Sequence, residues 1–183
     1  MMSVVSRPLA VGRGVILARP RPDDEAEFLA AVQASRALHH PWVEPPDTAT
    51  LFAAYLRRLR RSDQAGFFIR EREGGGLAGV ANLSNVVLGA LCSAFLGYYA
   101  LEPRTGHGHM TEGLGLVVDY AFAAMGLHRV EANVQPANTR SLAVVKHLGF
   151  RHEGFSPRYL MVAGEWRDHE RWAVTVEDWR PAG

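Results

Sequence analysis

Hydrophobic positions along this chain fall into two spacings, and the switches between them outline the elements. Val15 to Arg19 predicts an opening strand, and Asp24-Glu25-Ala26-Glu27 has the acid spacing of a capping box for a helix through about Arg36. His39 to Asp47 holds three prolines around Trp42 and predicts an irregular loop. Thr48 then stands where it can cap a second helix, with Leu51, Tyr55 and Leu59 on one face. Three apolar runs follow, Phe67 to Arg72, Leu77 to Leu88 and Ala94 to Leu101, separated by turns at Gly74 to Gly76 and at Gly89; they predict an antiparallel meander. Met110, Leu114, Val117, Val118, Ala121, Phe122 and Met125 carry the longest helical period, closed by Gly126. Arg129 to Gln135 predicts another strand, and Asn138 caps a helix ending at Gly149. Arg151 to Val162 and Trp166 to Val176 predict a closing hairpin around Gly164.

This alternation runs over 183 residues without a linker or repeat, so residues 1–183 are expected to form one domain. With 48% hydrophobic and 21% charged residues, the chain has the composition of a folded globular protein. Its 20 basic and 19 acidic side chains leave a net charge of +1, which argues against a surface built for nucleic acid. A single cysteine, Cys92, excludes an intrachain disulfide and suits a reducing compartment, so the expected location is the cytoplasm. The N-terminal residues are broken by Arg7, Pro8, Gly12 and Arg13, and no export signal is read there. Gly74 to Leu101 lacks charge, but its glycines and polar residues fit two buried strands and no membrane span.

Chemistry concentrates where a strand feeds a helix, at Glu102-Pro103-Arg104-Thr105-Gly106-His107-Gly108-His109-Met110. A glycine-bearing turn there exposes unpaired N–H groups at the positive end of a helix dipole, a setting that suits phosphate. The same glycines also serve an ordinary strand-to-helix turn. No nucleoside triphosphatase loop is present, and Thr111 stands where a dinucleotide fingerprint needs its third glycine. His107 and His109 are too few for a metal site, and none is expected.

With Asn138-Thr139-Arg140-Ser141, Gly149-Phe150 and Gly97-Tyr98-Tyr99-Ala100-Leu101 added, the chain resembles the GNAT acetyltransferases, in particular the RimJ/RimL branch that acetylates protein N-termini. The family's R/Q-x-x-G-x-G/A signature falls on Thr105 to Met110, departing from it at Thr105 and Met110, and N-x-x-S-x-x-x-x-x-x-x-G-F runs from Asn138 to Phe150. The resemblance implies an α+β, three-layer fold: a mixed, mostly antiparallel sheet of about seven strands, about four flanking helices, and a splayed strand pair as the cofactor cleft. It implies acetyl-CoA as cosubstrate, held by Thr105, Gly106, His107, Gly108, His109 and Met110, by Asn138, and by the backbone of Tyr99 and Leu101. Many relatives carry an acidic tyrosine where this chain has Val145, so the resemblance makes Ser141 the catalytic donor to the departing thiolate. Trp42 would cover the acceptor, an amine of a protein N-terminus or a small molecule. A noncatalytic acyl-CoA-binding module and a homodimer are also compatible with it. For a base, Glu102, Glu112, Glu165 and Glu170 are the available carboxylates, and an α-amine needs one least.

Overall fold

The computed structural model describes residues 8–181; the stretch through Arg7 and the last two residues lie outside it. Eight strands form one sheet: β1 (Ala10–Val11), β2 (Val15–Ala18), β3 (Gln64–Glu71), β4 (Leu77–Val87), β5 (Ser93–Ala100), β6 (Arg129–Val134), β7 (Arg151–Val162) and β8 (Glu165–Thr175). Its order is β1-β2-β3-β4-β5-β6-β8-β7. Every neighbouring pair is antiparallel except β5 and β6. Five helices join them: α1 (Glu25–Ala34), α2 (Arg36–His39), α3 (Ala49–Arg58), α4 (His109–Ala123) and α5 (Thr139–His147), with a 3₁₀ turn at Pro22–Asp24.

The expected α+β, three-layer arrangement is present, with one strand and one helix more than the apolar pattern announced. The extra strand arises because the turn at Gly12–Gly14 folds Ala10 and Val11 back onto Leu17 and Ile16. The extra helix arises because Ser35 divides the first one. Its hydroxyl donates to the Ala31 carbonyl at 2.6 Å and accepts the Glu102 N–H at 2.8 Å, pinning the break to the end of β5.

Two cores sandwich the sheet. On one face α4 and α5 bury Leu114, Val117, Val118, Ala121, Leu142 and Val145 against β2–β6 and β8. On the other, α1 and α3 close Phe28, Val32, Phe52 and Tyr55 over Phe68, Val80, Tyr99 and Leu101. Thr48 caps α3 as expected, accepting the Leu51 N–H at 3.3 Å, but the buried residues of that helix are Phe52 and Tyr55, and Leu51 faces solvent. The anticipated capping box at Asp24–Glu27 does not form. Asp24 accepts the Arg21 N–H at 2.7 Å and pairs with Arg70 at 2.8 Å, while Glu27 accepts both Arg70 and the Leu77 N–H at 2.8 Å. An arginine in the facing strand outcompetes the helix's own amides, because a charged donor makes the stronger hydrogen bond. No helix of the described residues is long and apolar enough to cross a membrane.

Candidate functional site

The two parallel strands part company early. β5 and β6 pair only at Ser93↔Arg129, Ala94↔Val130 and Phe95↔Glu131. Beyond that, β5 stays with β4 as far as Gly79↔Ala100, and β6 stays with β8 as far as Val134↔Glu170. The gap leaves one edge of β5, from Leu96 onward, without a strand partner.

Strand alternation decides which residues face that gap. The Leu101 N–H donates to the Ala78 carbonyl at 2.9 Å, and Tyr99 lies opposite Val80 in the same phase, so the main chain of both faces β4. This corrects the expectation for Tyr99 and Leu101: the edge groups that look into the gap belong to Tyr98 and Ala100. The Ala100 carbonyl is already taken, accepting His39 Nε2–H at 2.8 Å, which leaves the neighbouring amides as the open groups. His39 is 5% exposed, and burial lowers its pKa below 6.5, so it is a neutral donor with its proton fixed on Nε2.

At the end of β5 the chain enters the turn that starts α4. Gly106 and Gly108 both adopt positive φ, 82° and 79°, and a Cβ built on either would meet no atom within 4 Å. The mouth of the turn is therefore open, and Gly108 as N-cap leaves the first amides of α4 without side-chain partners. An adjoining cavity of about 590 Å³ is lined by Gly108, Thr111, Glu112, His147 and Arg180. Asp178 also lines it, so the groove carries charges of both signs, and what suits a diphosphate is the open main chain at the start of α4.

Two side chains of the turn, Thr105 and Met110, are engaged with the protein. Thr105 Oγ1 donates to Glu102 at 2.9 Å. His109 stacks on His107 with ring centroids 5.6 Å apart, and its Nδ1 is buried without a partner. Met110 turns inward over Gly79, where a Cβ would collide with its Sδ. Thr105 and Met110 are thus turned to the protein, while the two glycines leave the main chain of the loop open.

Across the gap, α5 brings its first turn to β5. Asn138 Oδ1 accepts the Ser141 N–H at 3.1 Å, the N-cap bond its position predicts. The Ser141 hydroxyl lies 2.7 Å from the Tyr98 hydroxyl, which also donates to the Ser141 carbonyl at 3.2 Å. Burial pushes the Tyr98 phenol up to about 12. Val145 is 1% exposed and belongs to the core. Sequence reasoning quoted Tyr98 as part of the strand motif but gave its side chain no role, and did not single out His39, because a histidine beside a proline loop carries no motif of its own.

The opposite face of the gap is roofed by two segments. The Trp42 carbonyl accepts Gln135 Nε2–H at 3.4 Å, and Glu44 accepts the Ala163 N–H at the tip of the β7–β8 hairpin at 3.2 Å. Trp42 thus sits in a loop tied to both strands beyond the splay. Arg167, His169 and Arg171 alternate onto one face of β8, with Asn133 opposite Arg171 on β6. Asn133 Oδ1 and the Nε atoms of both arginines are buried without partners, and His169 is 3% exposed with its Nδ1–H on the Arg167 carbonyl at 2.9 Å. Each of the four carboxylates named as a possible base has a protein partner. Glu102 takes Thr105, Glu112 takes the Gly14 N–H at 3.0 Å, Glu165 pairs with Arg167 at 2.7 Å, and Glu170 takes Trp172 Nε1–H at 3.1 Å. Among the described residues no cluster of histidine, cysteine or carboxylate could hold a metal.

A family model for the acetyltransferase (GNAT) domain matches residues 15–151. The chain belongs to the GNAT acetyltransferases. It is therefore an N-acetyltransferase that draws its acetyl group from acetyl-CoA. It is 38% identical over 124 residues to a probable N-acetyltransferase, YjcK, of Bacillus subtilis, covering 68% of each chain. It is 41% identical over 105 residues to the [ribosomal protein uS5]-alanine N-acetyltransferase of Escherichia coli, across 57% of this chain and 54% of that protein. That alignment spans about half of the Escherichia coli protein's length. Among solved structures, Mycobacterium smegmatis RimJ in complex with CoA-disulfide superposes with a TM-score of 0.82 at 38% identity, covering 89% of this chain and 82% of that one.

Proposed function

We propose that the acceptor is the α-amine of a protein or peptide N-terminus, acetylated by direct attack on acetyl-CoA in a ternary complex. Acetyl-CoA supplies an activated thioester; the rest of the chemistry falls to the chain. Main-chain amides of residues 105 to 110 hold the diphosphate, and Asn138 orders the helix start beside it. The Tyr98 and Ala100 edge amides pair with the pantetheine arm and supply the donor for the carbonyl oxygen. Ser141 donates a hydrogen bond to the sulfur as the C–S bond breaks.

The observation that carries the acceptor assignment is the polar strip Asn133, Arg167, His169 and Arg171 under the Trp42 loop. Its unpartnered atoms include both donors and an acceptor, which a peptide main chain satisfies in alternation. A polyamine brings donors and positive charge only, and meets two guanidiniums. An α-amine with a pKa near 8 is roughly one-tenth neutral at pH 7, whereas an alkyl amine near 10.4 needs a base. The similarity to a uS5-alanine N-acetyltransferase points the same way, and such an acceptor is made in the cytoplasm.

Thiol release should be measured with short peptides bearing free alanine or serine N-termini, the same peptides with blocked N-termini, and spermidine. Turnover is expected with free N-termini and lost on blocking. Turnover with spermidine and with none of the peptides would overturn the assignment in favour of a small amine.

A further inference from the structure

The tyrosine that many relatives place at the position of Val145 on α5 is absent here, yet a phenol does reach this site, from β5. Tyr98 lies on the splayed strand, so its main chain faces the gap while its side chain crosses to the first turn of α5. There its hydroxyl oxygen is 2.7 Å from Ser141 Oγ and 3.2 Å from the Ser141 carbonyl. We infer that Tyr98 is a positioning residue for acetyl transfer, aiming the Ser141 proton at the departing sulfur by filling the Ser141 lone pair; this rests on Ser141 being the donor proposed above.

The two hydroxyls have two arrangements. When Tyr98 donates to the Ser141 carbonyl, Ser141 spends its own proton on the phenol oxygen and offers nothing outward. When Tyr98 donates to Oγ, the Ser141 proton is released toward the gap. Negative charge growing on sulfur favours the second arrangement, because each donor in a chain strengthens the next. The burial that raises the phenol keeps it protonated, and therefore a donor, throughout the neutral range. In the transfer itself the amine nitrogen forms the C–N bond and the C–S bond breaks with its electron pair staying on sulfur. The proton shed by the nitrogen reaches the sulfur through solvent, and the hydroxyl pair stabilises the thiolate without losing a proton.

The test uses the full chain with CoA bound, titrating the CoA thiol by its thiolate absorbance against the ligand-free protein, together with kcat, in wild type, Y98F, S141A and the double variant. Tyr98→Phe keeps the ring and removes one oxygen; melting and CoA calorimetry check that folding and cofactor affinity are retained. Y98F is expected to raise the bound thiol pKa and lower kcat by roughly tenfold, about 1.4 kcal/mol, with little change in CoA affinity. S141A should do at least as much, and Y98F should add nothing in the S141A background. A Y98F enzyme with wild-type kcat and thiol pKa, beside an S141A enzyme with both altered, would overturn the role of Tyr98 alone. An S141A enzyme unchanged in both would remove the donor on which both readings stand.

Discussion

Met110 is the residue whose identity departs most from the cofactor signature, and the departure has a partner. The long side chain folds inward over β4, and Gly79 is the position that admits it. A methyl group on Gly79 must displace the thioether or push β4 away from α4, so Gly79→Ala should cost about 1–3 kcal/mol, the range for overpacking a filled core. Met110→Ala opens the same space and should lose stability for the opposite reason. Because both changes act on one volume, the double variant should be more stable than the two separate losses predict, by about 1 kcal/mol, as read by urea denaturation. Strict additivity would mean that the two residues do not share this space.

Between elements, the β6–β8–β7 side of the sheet is fastened by charge. β8 lies between β6 and β7, and its Ala173 faces Glu131 on one side and Arg151 on the other. So small a residue lets Arg129 of β6 reach over β8 to Glu153 of β7, while Arg129 also bonds Glu131 at 3.0 Å and Arg151 bonds Glu153 at 2.8 Å. The hydrogen bond from Arg129 holds the Glu153 carboxyl at about 2, below its usual 4.5. A carboxyl with a depressed folded pKa adds stability above its unfolded value and loses it as the pH falls toward the folded one. The stabilisation is thus complete above about pH 4.5 and gone near pH 2, and with 23% of the Glu153 side chain exposed it amounts to about 1–2 kcal/mol. Glu153→Gln should lower stability at neutral pH by that amount and flatten the acid limb of the pH–stability curve; an unchanged limb would show that the pair is screened by water.

On the scale of the whole molecule, the sequence spoke clearly where one element decides its own form and less clearly where two elements negotiate. The apolar period of α4, the Thr48 and Asn138 caps and the meander of β3 to β5 were legible, since each depends on residues close in the chain. The insertion of β8 between β6 and β7, the capture of Asp24 and Glu27 by Arg70, and the phase of β5 at the gap were not, because each is settled by a distant partner. The glycine loop could be read as open to an anion, but which strand amides face the cofactor required knowing the register with β4.

His39 belongs to this second group, and it joins the helical layer to the sheet at the site itself. It hands one proton from α2 to the free edge of β5, while His169 lies buried beyond the splay on β8. Burial is the main cause of a lowered pKa in both, opposed in each by a backbone hydrogen bond. The unfolded chain therefore takes up these protons near pH 6.5, and the folded chain only at lower pH. By linkage their contribution to stability is intact above that value and declines as the pH drops below it. The melting temperature should fall between about pH 7 and pH 5, before most carboxylates titrate. Replacing both histidines by glutamine, which keeps a side-chain donor for the Ala100 and Arg167 carbonyls, should remove most of that slope while preserving the melting temperature at neutral pH better than alanine does. A slope that survives in the double variant would place the proton uptake elsewhere and leave the two buried imidazoles without a part in acid sensitivity.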